Sequence, residues 1–319
     1  MLRTLTRRLL QVVVVLVLVT FGTACLTSFV RGDTAEVVAP FASDQQRAQI
    51  RKDLHLDEPI INRYGLWLND FVHGDLGKVY TGPQTTVDVS QKVGDALPIS
   101  LRLMVFSQIL ALLIAIPLGV ATAYKVGSLF DRTTSSVAFG LLAIPSFVAV
   151  LLLEYYLGVK LRLYPATYDP KLTGFDGTFR NYFIPTVALA LGQIAVYLRL
   201  LRSDMIATLQ EDYITMAKAK GMSPSRVLWR HALRPSSLVL LTVAGLNVGT
   251  LIGGALLVEF LYAMPGMGVE IQKAIIGKQY VALQSYVAII AVGYIAVNVF
   301  VDIFYSVLDP RIRHGRSTG

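Results

Sequence analysis

Six long apolar blocks decide what this chain can become. They run over 9–30, 98–124, 134–158, 183–200, 237–258 and 283–308. About 20 apolar residues cross ~30 Å of hydrocarbon as a helix rising 1.5 Å per residue, so each block is a candidate transmembrane helix. Pro117 and Pro145 fall inside the second and third blocks. A membrane helix carries an internal proline when neighbours satisfy the freed carbonyl. Composition agrees: 54% of the 319 residues are hydrophobic and 16% charged, against about a quarter charged in soluble domains, and the mean hydropathy is +0.57. The blocks are continuous rather than alternating, which excludes an outer-membrane barrel.

Basic residues set the expected orientation. With the N-terminus inside, the inner segments hold Arg3, Arg7, Arg8, Lys125, Arg132, Arg199, Arg202 and the basic residues after 210, against few acids. The net charge of +8 is then almost wholly cytoplasmic. It reports topology and excludes nucleic-acid binding, and both termini lie inside. The expected fold is an all-α integral membrane protein of six transmembrane helices, divided as 1–30 (first helix), 31–97 (external segment) and 98–319 (a core of five helices).

The segment 31–97 has amphipathic stretches, among them 44–54, and an aromatic run at Tyr64-Gly65-Leu66-Trp67-Leu68. It reads as a folded external element, since a flexible linker carries fewer aromatics and less pattern. The first block follows Arg7-Arg8 as in a signal peptide, but it is long and lacks a clean small-x-small site; it is read as a retained anchor. The lone cysteine, Cys25, excludes an intramolecular disulfide. It reads as a small apolar helix residue rather than a lipidated one.

Charge inside a membrane is costly. Arg102, Glu154 and Asp302 each lie about one turn from a span end, where long side chains snorkel outward. Glu154 adjoins Tyr155-Tyr156, an aromatic-belt pattern, and a place in a polar pathway stays open for it. In the fifth block Gly245, Gly249 and Gly253 recur every four residues on one helix face, with Asn247 and Thr250 adding polar groups. Such a face admits a close helix neighbour, either within this chain or in a partner subunit alongside a conduit.

The segment 211–235 reads as two short helices around a sharp turn. Glu211 and Asp212 suit a helix N-terminus, and Lys218 and Lys220 its end. Gly221 suits the left-handed position that ends a helix. Ser223 suits an N-cap with Pro224 at the first helical position, and Pro235 stops the second helix. Ala217, Ala219 and Gly221 leave a surface for another protein, and Val227, Leu228 and Trp229 give the second helix apolar surface. A plain polar loop on lipid headgroups fits the local physics equally well.

Several motifs carry a resemblance. Asp212-Tyr213, Ala217-Lys218-Ala219-Lys220-Gly221 and Pro235 resemble the EAA loop of ATP-binding-cassette importer permeases, with Ala-Lys-Ala-Lys in place of Glu-Ala-Ala. Leu56-Asp57-Glu58-Pro59 and His73-Gly74-Asp75-Leu76-Gly77 resemble the external segment of the dipeptide/oligopeptide/nickel permease family, first permease type. Glu259 with Met264-Pro265-Gly266-Met267-Gly268, and Leu308-Asp309-Pro310-Arg311-Ile312-Arg313, resemble its outer loop and C-terminal signature. The resemblance covers essentially the whole chain.

That resemblance implies a type I importer permease with no cofactor and no catalysis of its own. A second permease, two cytoplasmic ATPases and an external solute-binding protein complete the transporter. Coupling falls to Glu211, Asp212, Tyr213, Ala217, Lys218, Ala219, Lys220, Gly221, Ser223, Pro224, Arg226, His231 and Pro235. Gly245, Asn247, Gly249, Gly253 and Glu259 become pathway or packing candidates. Peptides lead as substrate, with nickel chelates, glutathione or other small solutes open. The chain has no G-x-x-x-x-G-K-[ST] phosphate loop; its nearest stretch, 74–79, has the wrong spacing. A stand-alone secondary carrier would show inverted repeats and broken helices, neither of which is clear in the sequence, and an assembly factor would need no conduit.

Overall fold

The computed structural model describes residues 2–29, 34–38, 41–82 and 85–308, with side chains from Val12 to Phe300. Asp302 and the C-terminal motif at 308–313 therefore fall wholly or partly outside the described side chains. The chain divides into two compact units, residues 1–100 with 265–296 and residues 101–264 with 297–319.

The first unit holds α1 (Leu2–Ser28), α2 (Thr34–Val38), α3 (Asp44–Asp53), α4 (Ile60–Val72) and a hairpin of β1 (Lys78–Tyr80) and β2 (Thr86–Asp88). The segment 31–97 is thus folded among its described residues. Ser43 starts α3 through a capping box: its Oγ accepts from the Gln46 N–H while Gln46 Oε1 accepts from the Ser43 N–H, which satisfies two orphan groups at once. Trp67 is buried on α4, and its Nε1 donates to Ser285 Oγ at 2.9 Å; that hydroxyl donates on to the Leu76 carbonyl at 2.7 Å. Gln279 covers the β1 edge, accepting from the Tyr80 N–H at 3.1 Å and donating to the Tyr80 carbonyl at 2.8 Å. One amide side chain thereby satisfies backbone groups that would template pairing with another strand.

The second unit contains most of the apolar helical mass. α5 (Val89–Tyr124), which starts in the first unit, is 36 residues long, or ~54 Å at 1.5 Å per residue, well beyond the hydrocarbon thickness. α6 (Leu129–Leu142) and α7 (Ser146–Leu153) follow, and α7 continues as a π-helical stretch, Glu154–Lys160. α8 (Gly174–Thr208) carries Pro185 internally. Small residues let these helices approach closely: Ala111, Ala115, Ala123, Ala190 and Ala195 are all buried in one core cluster. A Cβ at Gly119 would lie 3.0 Å from Leu201 Cδ2.

Next come α9 (Asp212–Ala219), α10 (Pro224–Arg226), a π-helical stretch Val227–Ala232, α11 (Leu233–Leu246) and α12 (Val248–Leu261); α13 (Met267–Ile276) and most of α14 (Tyr280–Leu308) belong to the first unit.

Three helices, α5, α8 and α14 over Tyr280–Phe300, are long and apolar enough to cross a membrane, and up to five spans result if two bent pairs each count as one. Within α1 the described apolar stretch is Val12–Ser28, shorter than that criterion. Two spans that read as continuous in the sequence are broken. α6 and α7 meet at 100°: Pro145 caps α7 instead of lying within a helix, as its ring and missing N–H dictate. α11 and α12 meet at 45° around Asn247.

Candidate functional site

The segment 211–235 forms a folded bracket. Glu211 is the extended N-cap of α9, and its carbonyl accepts from the Ile214 and Thr215 N–H groups. Asp212 sits in the first turn and Lys218 in the last, matching the helix dipole. Gly221 has φ +76°, its N–H donates to the Lys218 carbonyl at 3.0 Å, and the Met222 N–H donates to the Ala217 carbonyl at 3.3 Å. This paired closure is the Schellman arrangement, which needs a left-handed residue. Ser223 then caps the next helix with Pro224 at its first position, though the Ser223 side chain makes no capping bond.

Pro235 does not end the second helix. The chain passes through the π-helical stretch into α11 and reaches Pro235 as its third residue. The Leu233 N–H bonds to the Leu228 carbonyl five residues back, so the ladder restarts there. Pro235 thus falls in a first turn, where its missing N–H costs little. It still deprives the His231 carbonyl of the usual donor four residues on, and the Tyr213 hydroxyl donates to that carbonyl at 3.4 Å. Burial, then the charges of Glu211 and Asp204, push the Tyr213 phenol up.

The bracket has two faces. Ile214, Ala217, Val227 and Leu228 are buried in the core cluster with Leu201 and Met205 of α8. The local pattern offers Ala217, Val227 and Leu228 as surface; packing against Leu201 and Met205 of α8 turns them inward instead. The outer face keeps Ala219, Lys220, Gly221 and Arg226 exposed, together with Tyr213 (43%), Met216 (61%) and Trp229 (50%). A cavity of about 480 Å³ adjoins the bracket, lined by Tyr124, Gln210, Lys218, Met222, Pro224 and Leu228.

An ion pair that no sequence motif announces supports the bracket. Arg202 of α8 binds Asp131 of α6 through Nε to Oδ1 at 2.5 Å and Nη2 to Oδ2 at 2.7 Å. The Gly127 N–H adds a bond to Oδ2 at 2.9 Å. In the sequence both residues are only topology signals; their pairing needs the fold.

At the α11–α12 break, Asn247 lies near Tyr197 of α8, the Tyr197 hydroxyl donates to Gln108 Oε1 of α5 at 3.1 Å, and Gln193 Nε2 donates to Thr250 Oγ1 at 3.4 Å. Gly245 and Gly249 are half-buried, whereas Gly253 is exposed and a Cβ there would meet nothing within 4 Å. The neighbour Gly254 makes the close contact instead: a Cβ there would lie 3.2 Å from Leu189 Cδ2. Glu259 is fully buried on α12 rather than in a loop. In the first unit, Asp57 and Pro59 are exposed before α4, and Gly74 and Gly77 take φ +89° and +83° around Asp75, whose Oδ1 accepts from the Gly77 N–H at 2.8 Å.

Bent pairs of apolar helices, with a folded bracket between α8 and α11, describe a multi-pass helical membrane protein. Two family models match the chain: the binding-protein-dependent transport system inner membrane component over residues 115–314, and the N-terminal part of such a membrane component over residues 1–104. The chain belongs to this family and is an ATP-binding-cassette importer permease, a multi-pass protein of the bacterial inner membrane. Among its relatives is the dipeptide transport system permease protein DppB of Escherichia coli K12, 32% identical over 340 residues, covering 98% of this chain and 99% of that one. Its counterpart in Alkalihalophilus pseudofirmus is 31% identical over 330 residues, covering 97% and 98%. The fold is similar to a chain of the inward-facing MetNI methionine ABC transporter, with a TM-score of 0.56 at 15% identity, covering 69% of this chain and 97% of that one.

Proposed function

We propose that this chain is one of two related permease subunits of a peptide importer, with six spans and both termini in the cytoplasm, and that the 211–235 bracket docks on a cytoplasmic ATPase. The observation that carries this reading is the bracket's division of labour. One face is buried in the helical core, and the other presents Tyr213, Met216 and Trp229 beside the turn at Gly221. Exposed apolar groups of this kind mark an interaction site, and the buried face transmits a pull on it to α8 and α11. The polar cluster at Asn247 and the open glycine face at Gly253 supply the conduit candidates, with Gly245, Gly249 and Glu259 on the same two helices. Substrate is delivered by an external binding protein and ATP is hydrolysed by the partners. Relatives named for dipeptide transport over nearly the full chain support a peptide cargo.

The test is reconstitution of the complete transporter. Peptide uptake should require ATP and the cognate binding protein, and Ala219→Glu should abolish coupled uptake while the chain still folds in the membrane. Normal uptake by that variant would overturn the docking. A binding protein that ignores peptides and takes another solute would overturn the cargo.

A further inference from the structure

The first unit encloses a cavity of about 320 Å³ that belongs neither to the bracket nor to the conduit candidates. This is the lower end of the range of small-molecule pockets. Its charged lining is Asp53, Arg63, Asp70, Asp75 and Lys78, with Trp67 and Gln284 beside them.

Arg63 is half-buried on α4 and makes no ion pair among the described residues. Burial holds its guanidinium below the ordinary value, against an opposing influence from Tyr280. Gln284 is 7% exposed, and its buried Nε2 has no hydrogen-bond partner among the described residues. Leaving a buried donor unmet is costly, so such a group in a cavity wall points to an occupant that accepts. Rotation of the terminal amide exchanges its N and O positions, and neighbouring partners decide the choice. Two donors, one of them a cation shaped for bidentate pairing, specify a carboxylate. The same cavity carries acid as well. Asp70 is exposed, and Asp75 spends one oxygen on the Gly77 N–H. A cation alone would be repelled by Arg63 and Lys78, and a simple anion by Asp53, Asp70 and Asp75. A small molecule bearing both charges matches the lining.

We infer that this cavity binds the free carboxyl end of a short peptide zwitterion, with the carboxylate on Arg63 and Gln284 and the ammonium toward Asp70. The inference deepens the peptide reading above and rests on it: it adds a staging site in the external unit.

Trp67 forms part of the wall and reports occupancy by its fluorescence. The experiment uses the full chain in lipid nanodiscs with Trp229→Phe, which leaves Trp67 as the remaining tryptophan. Titration with alanyl-alanine should give a saturable change in emission. Its C-terminal amide should bind at least tenfold more weakly, since it loses the charge-assisted pairing with the guanidinium, and Arg63→Gln should weaken the acid by a similar factor with unchanged melting. Gln284→Leu should weaken it less. Equal binding of acid and amide, an unaffected Arg63→Gln variant, or no saturable change would each overturn the site. So would loss of binding-protein capture in Arg63→Gln without dipeptide binding, which would make the cavity a protein contact. If the whole transporter imports dipeptides while the titration stays flat, the cavity falls and the transport reading stands.

Discussion

Arg202 holds Asp131 by two parallel bonds, Nε to Oδ1 at 2.5 Å and Nη2 to Oδ2 at 2.7 Å, and so ties α8 to α6 just ahead of the bracket. The Asp131 side chain is nearly closed to solvent and that of Arg202 about a quarter open. Breaking such a pair strands the more buried partner. Arg202→Gln should destabilise the chain by about 2–3 kcal/mol, somewhat less than for a fully buried pair. Asp131→Asn should cost less, because Asn keeps an oxygen for the Gly127 N–H. Chemical unfolding in detergent reads both, and a loss under ~0.5 kcal/mol, the level of an ordinary surface change, would show that the pair does not hold the helices.

Gly221 isolates a backbone effect. Its φ is +76°, and a Cβ there would meet nothing within 4 Å. Gly221→Ala should therefore cost about 1–2 kcal/mol through the left-handed conformation alone, and Gly221→Asn should recover part of it. Equal melting of all three chains would mean that the turn adapts freely.

Trp229 and Met216 test the outer face. Both are at least half exposed, so Trp229→Ser and Met216→Ser should move stability by no more than ~0.5 kcal/mol. Coupled ATP hydrolysis in the assembled transporter should nonetheless fall about tenfold or more, because exposed aromatic anchors dominate interface energies. Full coupling in both variants would shift docking elsewhere on the bracket.

Gly77 shows why a glycine stands in the first unit. It has φ +83°, and a Cβ would lie 2.5 Å from Val281 Cγ1. Gly77→Ala adds that clash to the conformational cost, for a total of about 2–3 kcal/mol. Val281→Ala in the same chain should relieve the steric part and leave the rest, a coupling that a double-mutant cycle measures. Strict additivity would place the whole cost in the backbone.

The sequence makes some of this legible and hides the rest for physical reasons. Apolar runs locate the long helices, because a span is a property of one segment. The turn at Gly221 and the caps at Glu211 and Ser223 are readable for the same reason: each is set by neighbours within four residues. The inward turn of Ala217, Val227 and Leu228 is not, because it depends on Leu201 and Met205 from another helix. Pro235 misleads in a similar way. A π-helical stretch resets the hydrogen-bond ladder, and nothing local announces it. The Arg202–Asp131 pair and the Arg63–Gln284 cavity join residues 71 and 221 positions apart, a separation that no motif spans.

The glycine face of the fifth block is the remaining test of the conduit, and the structure sharpens which residue to change. Gly254 packs toward Leu189 and Ser146, whereas Gly253 opens onto free space within this chain. Gly254→Leu should therefore damage the fold, since added bulk in a packed site costs ~1–3 kcal/mol. Gly253→Leu should spare the isolated chain apart from the exchange of glycine for a better helix former, a gain of up to about 1 kcal/mol. If Gly253 faces a partner or the transport path, the same leucine will block assembly or uptake in the complete transporter. Melting of the isolated chain and uptake by the reconstituted complex separate the two effects. Normal uptake with Gly253→Leu at normal expression would remove this face from the pathway, and leave the polar cluster at Asn247 to define it.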